Sequence, residues 1–331
     1  MKKAHYHVVK ESVEYAKKEH GRPVAGFLNA VLRKFINDAQ LKEMPEADKI
    51  RASFPNWLCR RWSDRFGTEG ADTLLAEFMR EPRFALRVNT ACITVEEAGQ
   101  RLADEAIVAV RGQFSPSALL VDRLLPVMAT SLFRQGLVSI QGEASQLAGM
   151  AVREAKGQMV LDACCGSGTK TRQITELCPG SSVYSMDNDL MRLTLSALNT
   201  SVLCGDSLKP PFKPGSFDTI LVDAPCSSLG IIRKHPEIKW RRTKGDIRRF
   251  ADLQLAMLNS LWDLLAGGGR MIYSVCSFEP EETCDVIHNL SKEKKFTLEN
   301  PLPFLFNKDY FISLPHETAM DGFFIARLRK P

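Results

Sequence analysis

The chain has 331 residues, 44% hydrophobic and 25% charged, the make-up of an ordinary globular protein with room for roughly two or three domains. It holds no run of ~18 apolar residues to span a membrane, and its basic start, Met1-Lys2-Lys3-Ala4-His5-Tyr6-His7, lacks the apolar stretch of a signal peptide. Nine scattered cysteines without a CxxC argue against a disulfide framework or a zinc ribbon and fit reduced thiols in a cytoplasm, and the net charge of +5 matters less as a total than for where it gathers.

Residues 8–40 carry apolar side chains at helical spacing: Val8, Val9, Val13 and Ala16, then Ala25, Phe27, Leu28, Val31, Leu32 and Phe35. Pro23 suits the first turn of the second helix. The polar stretch 41–54 reads as a linker. Pro55 opens an amphipathic helix through Trp57, Leu58, Trp62 and Phe66, and another helix covers 69–80. Strands are expected at 84–89, 107–110 and 118–121, around a helix that starts at the capping box Thr94-Val95-Glu96-Glu97 and runs to about Asp104. A strand or turn follows at 137–141, then a helix over 143–154. This is the pattern of a small α+β module.

From 157 strands alternate with helices. Strands are expected at 158–161, 182–186, 202–204, 217–222, 270–275 and 323–328, and helices at about 169–177, 190–198, 246–266 and 280–293. Gly267-Gly268-Gly269 is expected to stop the third of these helices. Such alternation predicts an α/β fold on a doubly wound, mostly parallel sheet. The expected domains are 1–45, 55–140 and 141–331. Two basic groups stand out. Lys10, Lys17, Lys18, Arg22, Arg33 and Lys34 read as solvated helix faces. Lys239, Arg241, Arg242, Lys244, Arg248 and Arg249 lie close after Cys226, where contact with phosphates makes better sense.

The segment Asp162-Ala163-Cys164-Cys165-Gly166-Ser167-Gly168-Thr169-Lys170-Thr171 joins a strand to a helix. Glycines there let backbone N–H groups approach a ligand near a helix N-terminus. Asp187, Asp206 and Asp223 end the next three strands. A dinucleotide fingerprint would need glycine at Thr171, and a P-loop would need another glycine spacing. S-adenosylmethionine has no phosphate, but it has a cationic amino acid end, a ribose and an adenine, which suit acidic residues at successive strand ends. The plainer alternative is three aspartates that cap turns.

Cys226 in Val222-Asp223-Ala224-Pro225-Cys226-Ser227 and Cys276 in Tyr273-Ser274-Val275-Cys276-Ser277 each follow an apolar run as the chain leaves the sheet. Ligands collect at those carboxyl ends in open α/β sheets. Two thiols beside a methyl-donor site suit covalent methylation of cytosine. Carbon 5 of cytosine is a poor nucleophile, and a thiolate added to carbon 6 makes it enamine-like. Asp223 is placed to face ring nitrogen 3 and the exocyclic amine. Residue chemistry alone leaves open which thiol attacks. Cys59, Cys92, Cys178, Cys204 and Cys284 are expected as small buried hydrophobes.

These residues resemble the Nol/Nop/Sun family of RNA cytosine-5 methyltransferases, and above all its bacterial Sun (Fmu) type, which methylates small-subunit ribosomal RNA. The likeness rests on the segment from Asp223 to Ser227 and its continuation from Gly230 to Trp240, on Tyr273 to Ser277, and on Asp321-Gly322-Phe323-Phe324. Leu86-Arg87-Val88-Asn89 and the run from Gly136 to Gln146 also look like family segments, and Phe27 to Arg33 resembles the end of a NusB-like domain. The resemblance implies a Rossmann-like catalytic domain behind an α+β RNA-binding module and a short helical segment. It implies that Cys276 attacks carbon 6 and Cys226 assists release, with Asp223 and Lys170 near the reacting groups. Asp162, Cys164, Cys165, Gly166, Ser167, Gly168, Thr169, Lys170, Asp187, Asp206 and Asp223 would hold S-adenosylmethionine. Arg233, Lys234, Arg241, Arg242, Arg248 and Arg249 would contact RNA, 16S rRNA before transfer RNA. A cytoplasmic monomer without metal or membrane is expected. An inactive RNA-binding assembly factor and an NAD-dependent oxidoreductase are the alternatives.

The chain departs from the family pattern at three places. The usual loop Cys-Ala-Ala-Pro-Gly-Gly-Lys-Thr is replaced by Cys164 to Thr171, Ser228 stands where a glycine is usual, and the segment before the linker is shorter than a NusB-like domain needs. That segment reads as a truncated or vestigial module.

Overall fold

Helical periodicity in the first stretch produces α1 (His5–His20) and α2 (Arg22–Asn37), with Val9, Ala16 and Ala25 buried. The structure, a computed structural model, describes residues 5–38, 44–152, 155, 157–195 and 200–331. Ala39 and Gln40, expected in the second helix, lie outside the described residues. The chain divides into two compact units, Met1–Ala76 and Glu77–Pro331. The stretch expected as a linker contains α3 (Glu46–Ala52), which buries no residue fully and so has a polar sequence. The next two expected helices are both present as the two halves of α4 (Asn56–Met79), separated by the non-helical Gly67, where φ is +73°.

Four strands then form an antiparallel sheet: β1 (Phe84–Val88), β2 (Ala109–Arg111), β3 (Ala118–Val121) and β4 (Val138–Ile140), in the order β2-β3-β1-β4. Helix α5 (Val95–Asp104) buries Val95, Ala98 and Leu102, and the Thr94 hydroxyl accepts a hydrogen bond from the Glu97 N–H at its start. The short helices α6 (Leu124–Met128) and α7 (Ser131–Arg134) were not expected, because a single turn carries no periodic signal. Helix α8 (Glu143–Met150) follows, and residues 153 and 154 of its expected span lie outside the description.

The larger sheet is built from β5 (Met159–Asp162), β6 (Ser182–Asp187), β7 (Ser201–Cys204), β8 (Phe217–Asp223), β9 (Leu265–Val275), β10 (Thr297–Glu299), β11 (Tyr310–Ser313) and β12 (Phe323–Arg329). Its helices are α9 (Thr169–Leu177), α10 (Leu190–Leu195), α11 (Ile238–Arg241), α12 (Lys244–Trp262), α13 (Cys284–Glu293) and α14 (Pro315–Thr318). Residues 196–198 of the expected 190–198 helix lie outside the description. The strand order is β10-β12-β9-β8-β5-β6-β7, with β11 on β12. Strands β5 to β9 run parallel, and β10 to β12 add an antiparallel edge. The chain winds from β5 to β7 on one side, then returns to β8 and β9 on the other. This is the doubly wound, Rossmann-like arrangement, with its switch point between β5 and β8. Leu161, Ile220, Val222, Met271, Tyr273 and Phe324 lie in its core.

Two expectations are corrected here. Gly267 to Gly269 do not stop a helix: α12 ends at Trp262, and the glycines lie inside β9. Gly269 is needed for close approach, since a Cβ there would meet the carbonyl oxygens of Ala266 and Asp218 at 2.9 Å, and Gly268 takes a left-handed φ of +73°. The helix expected over 280–293 is interrupted at Thr283, where φ −125° and ψ −101° separate a 3-10 turn, Pro280–Glu282, from α13. That interruption turns Glu282 inward, where it is fully buried.

Candidate active site

The switch point opens a cleft of about 840 Å³ at the carboxyl ends of the strands. It brings together Asp162, Cys164, Cys165, Gly166, Ser167, Thr169, Lys170, Asp187, Asp206, Asp223, Cys226 and Cys276. Gly168 caps α9 at φ +81°, a conformation that glycine adopts without a Cβ clash. In the loop below it, the Asp187 carboxylate accepts from the Gly166 N–H at 2.8 Å and the Asp189 N–H at 2.9 Å. Asp206 lies two residues past β7 and accepts from the Leu208 N–H at 2.9 Å. Burial pushes the Cys165 thiol up to about 12 and the Cys164 thiol well up too. Both loop thiols therefore stay protonated near neutral pH, unlike a reactive cysteine.

Asp162 is fully buried, and one of its oxygens accepts from the Thr171 hydroxyl at 2.7 Å. The other oxygen, Oδ1, has no hydrogen-bond partner: the Cys164 N–H favours the charge but falls short of a bond. Burial raises the Asp162 pKa to about 6. Lys170, from α9, reaches Asp223 at 2.5 Å, and the other Asp223 oxygen accepts from the Ser274 hydroxyl at 2.8 Å. The Lys170 ammonium also lies 5.6 Å from the ring centre of Phe323.

Cys226 and Cys276 follow the adjacent strands β8 and β9, and their sulfurs are 3.2 Å apart. Cys226 is buried and Cys276 half-buried. The hydrogen bond between them holds Cys276 below and Cys226 well above the usual thiol range. Their surroundings support that split. Cys226 is more deeply desolvated and faces Glu282, whereas Cys276 meets the Ser228 hydroxyl and the Lys170 charge, opposed by Asp223. Glu282 was not singled out from the sequence. Its carboxylate accepts from the Ser227 N–H at 2.6 Å, the Ser227 hydroxyl at 2.5 Å, the Ser277 hydroxyl at 2.6 Å and the Gln254 amide at 3.3 Å. It thereby ties the loop of Cys226 to the loop of Cys276. Only the acidic run after Pro280 hinted at it.

The other cysteines divide. Cys59 and Cys178 are buried as expected and Cys284 partly so, but Cys92, in the turn between β1 and α5, and Cys204, at the end of the exposed strand β7, are exposed. The basic residues divide as well. Arg242 lines the cleft, where it donates to the Ser227 carbonyl at 2.9 Å and lies 5.0 Å from the ring centre of Phe250. Arg241, Arg248 and Arg249 are exposed. Lys239 is buried, which lowers its pKa. Arg233 is engaged within the fold by Glu77 at 2.6 Å and Lys234 by Asp321 at 2.6 Å.

Residues 150–329 match the model of a family described as 16S rRNA methyltransferase RsmB/F, and residues 54–128 match the ferredoxin-like domain of RsmF/B-like methyltransferases. The chain belongs to the RsmB/F family. It is 32% identical to the probable ribosomal RNA small subunit methyltransferase B of Bacillus subtilis (strain 168), over 97% of this chain and 77% of that protein. It is 34% identical to the ribosomal RNA small subunit methyltransferase B of Vibrio cholerae, over 97% of this chain and 76% of that one. The crystal structure of a methyltransferase homolog protein from Pyrococcus horikoshii superposes with a TM-score of 0.70 at 25% identity, covering 87% of this chain and 100% of that one.

The cofactor of this RsmB/F member is S-adenosylmethionine, and the cleft fits it. The unmatched Oδ1 of Asp162 is a ready acceptor for a cationic ammonium group. Asp187 and Asp206, at successive strand ends, offer carboxylates at the place where a ribose diol is held in such sheets.

Proposed function

We propose that the protein methylates carbon 5 of a cytosine in RNA, 16S rRNA first, through a covalent bond between Cys276 and carbon 6. One observation supports this reading above all: the Cys226 and Cys276 sulfurs lie 3.2 Å apart in the cleft that fits the methyl donor, which also holds the Lys170–Asp223 pair. Cys276 is the attacking sulfur, because its hydrogen bonds with Cys226 and Ser228 and the nearby Lys170 favour its thiolate. The sulfur bonds to carbon 6, and the electron pair of the broken double bond moves towards carbon 5. Asp223 and Lys170 meet the nitrogen 3 and amine edge of the base and balance the charge that develops there. The bound donor supplies an electrophilic methyl group. Once the carbon 5 proton has left to a base, the carbon 6–sulfur bond breaks and its electrons return to Cys276. Cys226, kept as a neutral thiol, donates a hydrogen bond to the departing sulfur, which leaves as a thiolate. In this reading the module over 55–140 adds RNA contacts to the catalytic part over 141–331, and the protein works as a monomer in the cytoplasm.

The test is a denaturing gel of each variant incubated with RNA and S-adenosylmethionine. Cys276→Ala is expected to abolish methyl transfer and form no adduct, and Cys226→Ala to accumulate a covalent RNA–protein band. An adduct in Cys276→Ala that disappears in Cys226→Ala would reverse the two roles. RNA binding without methyl transfer by the unaltered protein would favour an inactive assembly factor.

A further inference from the structure

Ser228 has a left-handed backbone, φ +61° and ψ 22°, which a residue with a Cβ adopts only under steric strain. Its hydroxyl oxygen lies 3.5 Å from the Cys276 sulfur and 3.8 Å from the Cys226 sulfur, and the residue lines the cleft. The loop on both sides is pinned. Ser227 is held by Glu282 through its N–H at 2.6 Å, and the Gly230 N–H donates to the Cys276 carbonyl at 3.1 Å. Gly230 can approach that closely only as glycine, since a Cβ there would meet the Gly322 carbonyl oxygen at 1.9 Å. The backbone therefore fixes the place of the Ser228 hydroxyl, and strain maintained beside two thiols points to a use for the side chain.

We propose that the Ser228 hydroxyl is a catalytic hydrogen-bond donor to the Cys276 sulfur, stabilising it as a thiolate before it attacks and again as it leaves. In the neutral site the Cys276 thiol donates to Ser228 and the hydroxyl donates to the Cys226 carbonyl at 3.4 Å. When Cys276 loses its proton, the hydroxyl turns its hydrogen to the sulfur, exchanging a neutral partner for a charged one. Hydrogen bonds to charged groups are the stronger kind. The other ionisable groups acting on Cys276 are Cys226, Asp223 and Lys170, with Glu282 behind Cys226. The consequence for turnover rests on the covalent reading above, whereas the effect on the thiol does not.

The test uses the full chain without RNA or cofactor. The pH dependence of iodoacetamide alkylation at Cys276 is followed by peptide mass spectrometry for wild type, Ser228→Ala and Ser228→Gly. Both variants are expected to move the midpoint up by about one pH unit, slowing alkylation near neutral pH by up to about tenfold. Glycine accepts the left-handed backbone, so Ser228→Gly is expected to fold with an equal or higher Tm. An unchanged midpoint in folded Ser228→Gly overturns the proposal and leaves Ser228 as a strained turn residue only. A shifted midpoint in a protein that methylates no RNA would sink the methylation reading and leave this one standing.

Discussion

Asp162 carries the sharpest energetic conflict at the level of a single residue: a fully buried carboxylate with one oxygen satisfied by Thr171 and the other unmatched. The folded protein holds its proton up to about pH 6, whereas the unfolded chain releases it near the ordinary aspartate value of 3.8. The stability tied to this residue is therefore complete below the unfolded value, falls as pH rises through the folded pKa, and is flat above it. A gap of about two pKa units corresponds to roughly 3 kcal/mol. Asp162→Asn removes the titration. Urea unfolding of the cofactor-free protein is expected to show the variant gaining on wild type by up to about 3 kcal/mol between about pH 4 and pH 7. Its affinity for S-adenosylmethionine, measured by calorimetry, is expected to fall at least about tenfold through loss of a charged partner. A difference in stability that stays constant with pH would show that Asp162 does not titrate in that window. Asp162, Cys226 and Cys276 were legible in the sequence for one reason: an apolar strand must deliver its next residues to the sheet edge. The 3.2 Å between the sulfurs was not legible, because it depends on β8 lying beside β9 with Asp223 opposite Ser274.

Between elements, Glu282 does what neither strand does alone. From the 3-10 turn it gathers donors from the loop after β8, from the loop after β9 and from α12, and the Tyr273 hydroxyl donates to its backbone carbonyl at 2.6 Å. Such a residue is invisible to periodicity. The sequence around it reads as the acidic first turn of a helix, and only the break at Thr283 directs the side chain inward. The glycine run in β9 misleads in the same way, since helix stops and close strand contacts both select glycine. Glu282→Ala leaves the fixed Ser227 N–H and two hydroxyls without their acceptor. The hydroxyls can rotate to other acceptors and the N–H cannot, and an orphaned buried donor costs about 1–3 kcal/mol, so a loss of roughly 1–3 kcal/mol is expected in urea unfolding, shown by a lower midpoint at unchanged slope. Glu282→Gln keeps one acceptor oxygen and the side-chain volume, and is expected to lose less than about half as much. If alanine and glutamine prove equally stable, the hydrogen bonds to Ser227 and Ser277 do not hold the two loops.

For the molecule as a whole, the arrangement of the basic side chains decides how it meets a polyanion, and the total of +5 does not. The sequence grouped Arg233 and Lys234 with Arg241, Arg242, Arg248 and Arg249 because they are close along the chain. Folding separates them: the first two point to Glu77 and Asp321, the Arg242 guanidinium lines the cleft, and Arg241, Arg248 and Arg249 remain exposed. Arg249 sits 5.2 Å from the ring centre of Phe250, on whose ring Arg242 also lies, so the exposed charge continues to the rim of the cleft. Sequence distance could not sort these residues, because their acidic partners are more than 80 positions away. The two classes are expected to respond differently to mutation. Each phosphate contact removed lowers the slope of log affinity against log salt by about 0.7 for single-stranded RNA. The double variant Arg241→Gln/Arg248→Gln is therefore expected to lower the salt slope of RNA binding by about 1.4, with unfolding unchanged. Arg233→Gln is expected to leave the slope unchanged and to destabilise the fold by about 1–2 kcal/mol, since the buried Glu77 loses Arg233 but keeps Arg80 at 2.8 Å. A lower salt slope in Arg233→Gln, or an unchanged one in the double variant, would mean that RNA approaches by another face. In that case the charge at the rim of the cleft serves the protein alone.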